Sequence, residues 1–150
     1  MDPLSIVASA SSLVFASVKV VKGLCDLRER YKTAGTMIAS ISSECMVLHI
    51  ALSQIQKLAL IDSFFDRLES QIELKDSFEL ALLSCTQTFS ALEEEILELS
   101  LKGEQKDDHF LRLKYLWNEE TMREILLQLR SQQNAISVLL TAIQTYGNCF

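Results

Sequence analysis

Apolar residues recur along most of this chain at alternating spacings of three and four, the period of an amphipathic α-helix. Two runs keep this rhythm best, and they predict a helix from about Thr36 to Ala59 and a long one around 78–99. Their stripe positions are Ile38, Ile41, Cys45, Leu48, Leu52 and Ile55 in the first run, and Phe78, Leu82, Cys85, Phe89, Leu92, Ile96 and Leu99 in the second.

A third long helix is predicted near the end of the chain. Asn118 suits its N-cap, two glutamates follow where the helix dipole favours acids, and Gly147 suits its stop. Its seam consists of Met122, Ile125, Leu129, Ile136, Leu139, Ile143 and Tyr146. Gln132 and Gln133 fall in a layer of this seam that should be apolar. Either they lie at an opening of the bundle or they specify register by hydrogen bonding, and we favour the opening.

Shorter elements connect the long helices. The stretch "LIDSFFDRLESQIEL" predicts a short helix or a turn of one through Phe64, Phe65, Leu68 and Ile72. The stretch "LKGEQKDD" is typical of an exposed loop. Asp107 or Asp108 then suits the cap of a short helix that bears Phe110, Leu113 and Trp117.

The first segment, "MDPLSIVASASSLVFASVKVVKGL", has no charge between Pro3 and Val18. Asp2 suits a helix cap and Pro3 the first helical turn, whereas Gly23 is a candidate interruption. A helix that is apolar almost all round is a central core helix or a membrane element. Leu4, Val7, Val14, Val18 and Val21 share one side of this helix, and Ile6, Leu13, Val20 and Leu24 lie next to them.

Three roles compete for this segment. A secretory signal needs positive charge before its apolar stretch, but here Asp2 precedes and Lys19 and Lys22 follow. A spanning helix needs about 20 apolar residues, and this run is shorter and interrupted by serines. We therefore interpret it as the core helix of a bundle, and release onto a membrane remains the rival hypothesis.

Composition agrees with long helices. One proline and four glycines in 150 residues leave few breakers, and a sheet would need many more turn residues. We predict an all-α fold with a single domain over residues 1–150. It is a four- to five-helix bundle with long antiparallel helices and an N-terminal apolar core helix.

The net charge of −6 is unevenly distributed. Residues 1–32 hold five basic groups against three acids, and the rest of the chain is strongly acidic. No basic stripe with interleaved aromatics is present, so we predict no nucleic-acid partner. The basic groups are candidate contacts for anionic lipid, although a solvated helix end is the simpler interpretation; they are Lys19, Lys22, Arg28, Arg30 and Lys32.

The residues that usually carry chemistry are scattered. Cys45 and Cys85 fall on apolar stripes, which favours buried free thiols and a cytoplasmic location. His49 and His109 have no partner at metal-ligand spacing, and no phosphate loop or nucleophile elbow occurs. We predict no catalytic, metal or cofactor site and no enzymatic activity.

Three stretches resemble a known family: "MDPLSIVASASSLV", "ISSECMVLHIALSQIQ" and "LKYLWNEETMREILLQLRSQQNAISVLL". They resemble the fungal all-helical N-terminal domain of azaphilone pigment cluster protein L and of STAND (NLR-like) proteins, which is similar in layout to HeLo-like bundles. The resemblance implies a signalling module whose N-terminal helix, here Leu4 to Val21 with its basic flank, can act on membranes. The chain departs from that pattern by having no nucleotide-binding domain, repeats or amyloid-type tail within its 150 residues.

Two functional hypotheses follow. The first is a protein-interaction module that self-associates, forming a homo-oligomer, or docks to another domain. The second is a membrane-permeabilising effector that is cytoplasmic at rest and membrane-associated on activation, when its first helix leaves the bundle. The candidate membrane or partner residues are Leu4, Ile6, Val7, Leu13, Val14, Val18 and Val21.

Overall fold

A computed structural model describes residues 2–30, 35–61, 63–101 and 119–148. All regular structure in these ranges is helical, which confirms the predicted all-α bundle. The five helices are α1 (Pro3–Arg30), α2 (Gly35–Leu58), α3 (Ser63–Ser70), α4 (Ile72–Leu101) and α5 (Glu119–Asn148). The predicted loop at 102–108, the short helix with Phe110, Leu113 and Trp117, and His109 all lie outside the described residues.

The chain enters α1 through the predicted cap. The Asp2 carboxylate accepts hydrogen bonds from the backbone N–H and the hydroxyl of Ser5, each at 2.8 Å. These bonds stabilise the charged carboxylate and lower the pKa of Asp2. Because one carboxylate satisfies an N–H that the first helical turn leaves unpaired, it fixes where α1 begins.

Gly23 does not interrupt α1, which runs unbroken through it. A Cβ atom at this position would lie 2.8 Å from Cγ2 of Ile96 in α4. The absence of a side chain at Gly23 therefore lets α4 approach α1 closely, and the cost of a glycine inside a helix is offset by this packing.

The predicted core stripes of α2 and α4 are confirmed. All six stripe residues of α2 are buried, and so are Phe78, Leu82, Cys85, Phe89 and Leu92 of α4. Ile96 is partly buried against the core, and the side chain of Leu99 lies outside the described residues. The three-four spacing predicted these positions because it places them on one face of each helix.

The four long helices form a ring around this core. The helix α1 packs against α2 and α4, and α5 packs against the same two helices. The pair α1–α2 therefore lies opposite the pair α4–α5. The short α3 covers one end, where Phe64 and Leu68 are buried and Arg67 donates a hydrogen bond to the Ile143 carbonyl of α5 at 3.2 Å.

α1 is a core helix, as predicted, through one stripe of its surface. The buried positions are Ile6, Ala10, Leu13, Ser17, Val20, Leu24 and Leu27. The opposite side of α1 is exposed and still largely apolar. Two of the buried residues, Ala10 and Ser17, are small. Their small side chains let the neighbouring helices pack closely against this side of α1.

The structure contradicts the predicted bundle opening at Gln132. This side chain is 5% exposed and lies between α4 and α5. Its Nε2 contacts the Ser84 carbonyl at 3.0 Å, the Ser84 hydroxyl at 2.9 Å and the Thr88 hydroxyl at 2.6 Å. Gln132 can occupy this layer because α4 supplies acceptors for its amide N–H groups. The neighbouring Gln133 is half-buried. The helix also passes the predicted stop at Gly147 and reaches Asn148.

Candidate interaction surfaces

The outer side of the α1–α2 pair presents a row of exposed apolar side chains. We call it the α1–α2 face and define it by Leu4, Phe15, Val18, Met46 and Ile50. Phe15 is the most exposed member, at 76%. A large exposed aromatic ring with other exposed apolar side chains on the same side of the helix pair makes this face a candidate interaction surface.

A hydrogen bond fixes how α1 and α2 align at this face. The Ser17 hydroxyl and His49 Nδ1 lie 2.7 Å apart. Val18 follows Ser17 on α1, and Ile50 follows His49 on α2. Successive side chains of a helix point in different directions around its axis, so Val18 and Ile50 point away from the contact and toward solvent. The bond also gives His49 a partner inside the bundle.

The predicted membrane or partner residues of α1 divide into three groups. Ile6 and Leu13 are buried, so they contact nothing outside the bundle while α1 stays packed. Val7, Val14 and Val21 are partly buried against the core. Leu4 and Val18 are exposed and belong to the α1–α2 face. Phe15, which the sequence analysis did not select, is more exposed than any of them.

The basic residues that follow the apolar run lie at different places. Lys19 and Lys22 are exposed on α1 beside the face. Arg28 lines an open polar cleft with Arg130, which donates a 2.9 Å hydrogen bond to Glu44. The side chain of Arg30 and the whole of Lys32 lie outside the described residues. Lys19 and Lys22 therefore give the α1–α2 face its positive charge.

The α4–α5 pair carries a second apolar surface on the opposite side of the ring. We call it the α4–α5 face and define it by Leu80, Leu83, Leu127 and Val138, all exposed. These leucines and the valine fall off the core stripes of their helices, and that is the signal by which the sequence could have revealed them.

A cleft of about 570 Å³ lies at the middle of the α4–α5 face. Gln87 and Ser131 are among its lining residues, with Leu127 at its side. Leu80 comes seven residues before Gln87, and Val138 comes seven residues after Ser131. Seven residues are two helical turns, and the helices are antiparallel, so Leu80 and Val138 flank the cleft at the same end.

The lining of the cleft is mostly polar and includes one carboxylate, that of Glu124. Glu124, Gln128 and Gln132 line it, and the Oε1 atom of Gln132 is buried without a donor from the described residues. An unpaired buried acceptor costs roughly 1–3 kcal/mol. The arrangement suits a ligand group that brings N–H donors and positive charge.

The two helix pairs that carry these faces differ in net charge. The helices α1 and α2 together hold five basic and three acidic residues, a net charge of +2. The helices α4 and α5 together hold three basic and ten acidic residues, a net charge of −7. The bundle therefore has a basic apolar side and an acidic apolar side.

Burial changes the acidity of Glu95 on α4. Its pKa is raised, first because the carboxyl is partly buried and second because Glu98 lies nearby. Its Oε2 atom has no hydrogen-bond partner among the described residues. A folded-state pKa above the unfolded value of ~4.3 means that the folded chain binds more protons, so this group lowers stability as pH rises.

Replacing Glu95 with glutamine is therefore expected to raise the melting temperature at pH 7. The gain is at most about 1 kcal/mol, because solvent screens a half-exposed group, and it should vanish near pH 4 where the carboxyl is protonated. Glu94→Gln, one residue away and exposed, is the matched control. A melting temperature for Glu95→Gln at or below that of Glu94→Gln at pH 7 would contradict this account.

The cysteines behave as the stripes predicted. Cys45 and Cys85 are free and buried, while Cys25 is free and exposed. Burial raises the pKa of the Cys45 thiol to about 12, with a further contribution from Glu44, and burial raises that of Cys85 to about 12 as well. The thiolate is the reactive form, so both buried thiols should be inert in the folded protein.

Alkylation at pH 8 is expected to modify Cys25 first and to reach Cys45 and Cys85 only when the bundle unfolds. Peptide mapping by mass spectrometry after timed exposure to iodoacetamide measures the three rates. In denaturant the rates should converge. Modification of Cys45 or Cys85 as fast as Cys25 in the native chain would show that the core packing described above is wrong.

Two helices of the described chain are long and apolar enough to cross a membrane, namely Pro3–Glu29 and Thr36–Leu58. They correspond to α1 and α2, and about a third of each apolar window is buried in the bundle. Core helices of soluble proteins meet the same two criteria. No group of three or more metal-ligating side chains occurs among the described residues.

Comparison with known proteins adds no relative to this picture. No family model, no curated protein and no solved structure matches the chain. The two faces and their opposite charges are therefore the observations on which a function must be argued.

Proposed function

We propose that this chain is a non-enzymatic protein-interaction module of the cytoplasm, and that it acts by self-association. The observation that carries the proposal is the α1–α2 face, where Phe15, Val18 and Ile50 lie exposed on helices already packed on their other sides. The resemblance to the N-terminal domains of fungal NLR-like proteins supports a place in signalling or regulation.

Physical chemistry favours a protein partner for this face. Scattered single apolar residues on a surface need no explanation, but neighbours that form a continuous patch do. The aromatic ring of Phe15 offers a large area with few rotatable bonds, which suits an interface core. Lys19 and Lys22 at the edge would give the interface a polar rim and orient the partner.

The test is the size of the native chain and of a Phe15→Ser/Ile50→Ser variant in light scattering after gel filtration. We expect the native chain to associate as its concentration rises and the variant to remain at the monomer mass of 16.9 kDa. Leu60→Ser/Leu97→Ser removes two equally exposed apolar groups elsewhere and should associate normally. A monomeric native chain up to millimolar concentration would refute the proposal.

A second candidate function is permeabilisation of anionic membranes by a released α1. The observation in its favour is that α1 and α2 both have the length and apolarity of spanning helices, with Lys19 and Lys22 beside them. Basic residues near an anionic surface contribute about 1 kcal/mol each. This function requires α1 to leave the core, which the self-associating bundle does not.

Leakage of dye from vesicles that contain phosphatidylserine tests this candidate. Phe15→Ser/Val18→Ser is the informative variant, because both side chains are exposed and the bundle should stay folded. Substitutions to aspartate at Val7 or Val14 would disturb the core, since both are partly buried. Leakage by the native chain that this variant loses would favour the membrane function, and no leakage with anionic or neutral vesicles would exclude it.

A further inference from the structure

We propose that the α1–α2 face of one copy binds the α4–α5 face of a second copy, so that the chain assembles head to tail. This inference rests on the proposed self-association and names the surfaces that perform it. Its starting point is the pair of faces on opposite sides of the ring, one on helices whose summed net charge is +2 and the other on helices whose summed net charge is −7.

Charge complementarity selects the second copy as the occupant of the α4–α5 face. Two α4–α5 faces brought together would place the exposed carboxylates of Glu94 and Glu124 against those of the other copy, and like charges in an interface cost several kcal/mol. An α1–α2 face supplies Lys19 and Lys22 instead. Glu94 and Glu124 are exposed on α4 and α5 and offer acceptors for these ammonium groups.

Both faces also have exposed apolar side chains that could pack against each other. Phe15, Val18 and Ile50 are exposed on α1 and α2, while Leu127 lines the α4–α5 cleft and Leu80 and Val138 are exposed beyond one end of it. A lysine stem can pack along Leu127 while its ammonium group reaches Glu124 and the amides inside the cleft. The ammonium group would thus bring positive charge to Glu124 and N–H donors to the cleft.

The placement of the faces determines the form of the assembly. Two identical patches in contact give a closed dimer, whereas two different patches on opposite sides give a ring or an open filament. Each added copy leaves one α1–α2 face and one α4–α5 face available. The chain is therefore expected to form species larger than a dimer, and added salt should weaken them.

Two variants that each lose one face test the inference. Phe15→Ser/Ile50→Ser removes the α1–α2 face and Leu80→Ser/Leu127→Ser removes the α4–α5 face; all four side chains are exposed, so circular dichroism should show intact helices. Each variant alone should be monomeric in sedimentation velocity. An equimolar mixture should contain one species of dimer mass, because one intact interface remains.

The other outcomes are distinct. If the Leu80→Ser/Leu127→Ser variant alone forms dimers and the mixture holds no heterodimer, the α1–α2 face binds itself and the head-to-tail inference fails while self-association stands. If the Phe15→Ser/Ile50→Ser variant alone forms dimers, the inference fails for the other face. If the native chain never associates, both the inference and the proposed function fail.

A charge exchange tests the proposed contacts within the mixture. Lys19→Glu/Lys22→Glu, added to the chain that keeps its α1–α2 face, should weaken the heterodimer by tenfold or more, on the order expected for two close charge pairs. Glu94→Lys/Glu124→Lys on the other chain should restore it. Glu69→Lys on α3 makes the same kind of change away from both faces and should restore nothing; restoration by it would overturn the assigned contacts.

Discussion

Replacing Phe78 with alanine is expected to lower the free energy of unfolding by about 3–5 kcal/mol. Phe78 has no exposed surface and is among the largest side chains of the core. Its loss removes buried apolar area and leaves a cavity that α4 cannot close without moving away from its neighbours. Since single domains are stable by only about 5–15 kcal/mol, this change should bring the bundle close to unfolding.

Leu97→Ala is the matched control for this prediction. It removes an apolar side chain from the same helix at a position outside both faces, where 59% of the residue is exposed. Denaturation in urea should place this variant within about 0.5 kcal/mol of the native chain. A small effect of Phe78→Ala, or similar effects of the two variants, would mean that α4 does not face the core as described.

Replacing Gln132 with glutamate is expected to destabilise the bundle by about 3–5 kcal/mol at pH 8, because it buries an unpaired charge. The new carboxylate would face the Ser84 carbonyl and the Thr88 hydroxyl where an amide N–H₂ donates now. Burial should raise the pKa of this carboxyl in the folded state. Folded chains would then bind more protons than unfolded ones, and stability would fall as pH rises above ~4.3.

Urea denaturation at pH 5 and pH 8 measures this effect. The Gln132→Glu variant should recover much of its stability at pH 5, where the protonated carboxyl can donate to the Ser84 carbonyl. Gln128→Glu places the same charge one turn earlier on α5 at an exposed position and should show little pH dependence beyond that of the native chain. Equal pH dependence in the two variants would show that Gln132 is not buried between α4 and α5.

The sequence predicted the inward faces of α2 and α4 because their apolar residues recur without a gap at spacings of three and four on one side of each helix. It could not do the same for α1. That helix has apolar residues almost all round, so hydropathy does not distinguish Ile6, which is buried, from Leu4 and Val18, which are exposed. The side of α1 that faces the core is determined by close packing at Ala10, Ser17 and Gly23, and this packing depends on the neighbouring helices.

Gln132 shows a second limit of sequence periodicity. A glutamine in an apolar layer suggests an exposed position, since an unpaired amide in the core is unfavourable. Its partners Ser84 and Thr88 lie 44 to 48 residues away, and only the packing of α5 on α4 brings them within hydrogen-bond distance. Leu80 and Val138 fall off the core stripes, which the sequence shows, but only the packing of α4 on α5 places them on one side of the bundle.

The separation of charge along the chain has a direct structural consequence. In sequence, the basic excess near the start and the acidic excess of the remainder look like properties of two segments. In the bundle they become two opposite sides, each with exposed apolar residues. A surface with that arrangement favours contact between unlike sides and disfavours contact between like sides.

Sedimentation velocity of the native chain over a concentration series tests the central claim most directly. The weight-average sedimentation coefficient should rise with concentration past the value of a dimer, and it should fall when salt is raised from 50 mM to about 0.5 M because salt screens the opposite charges. A constant coefficient for a 16.9 kDa monomer throughout the series would contradict self-association. A rise that stops at the dimer would contradict head-to-tail assembly.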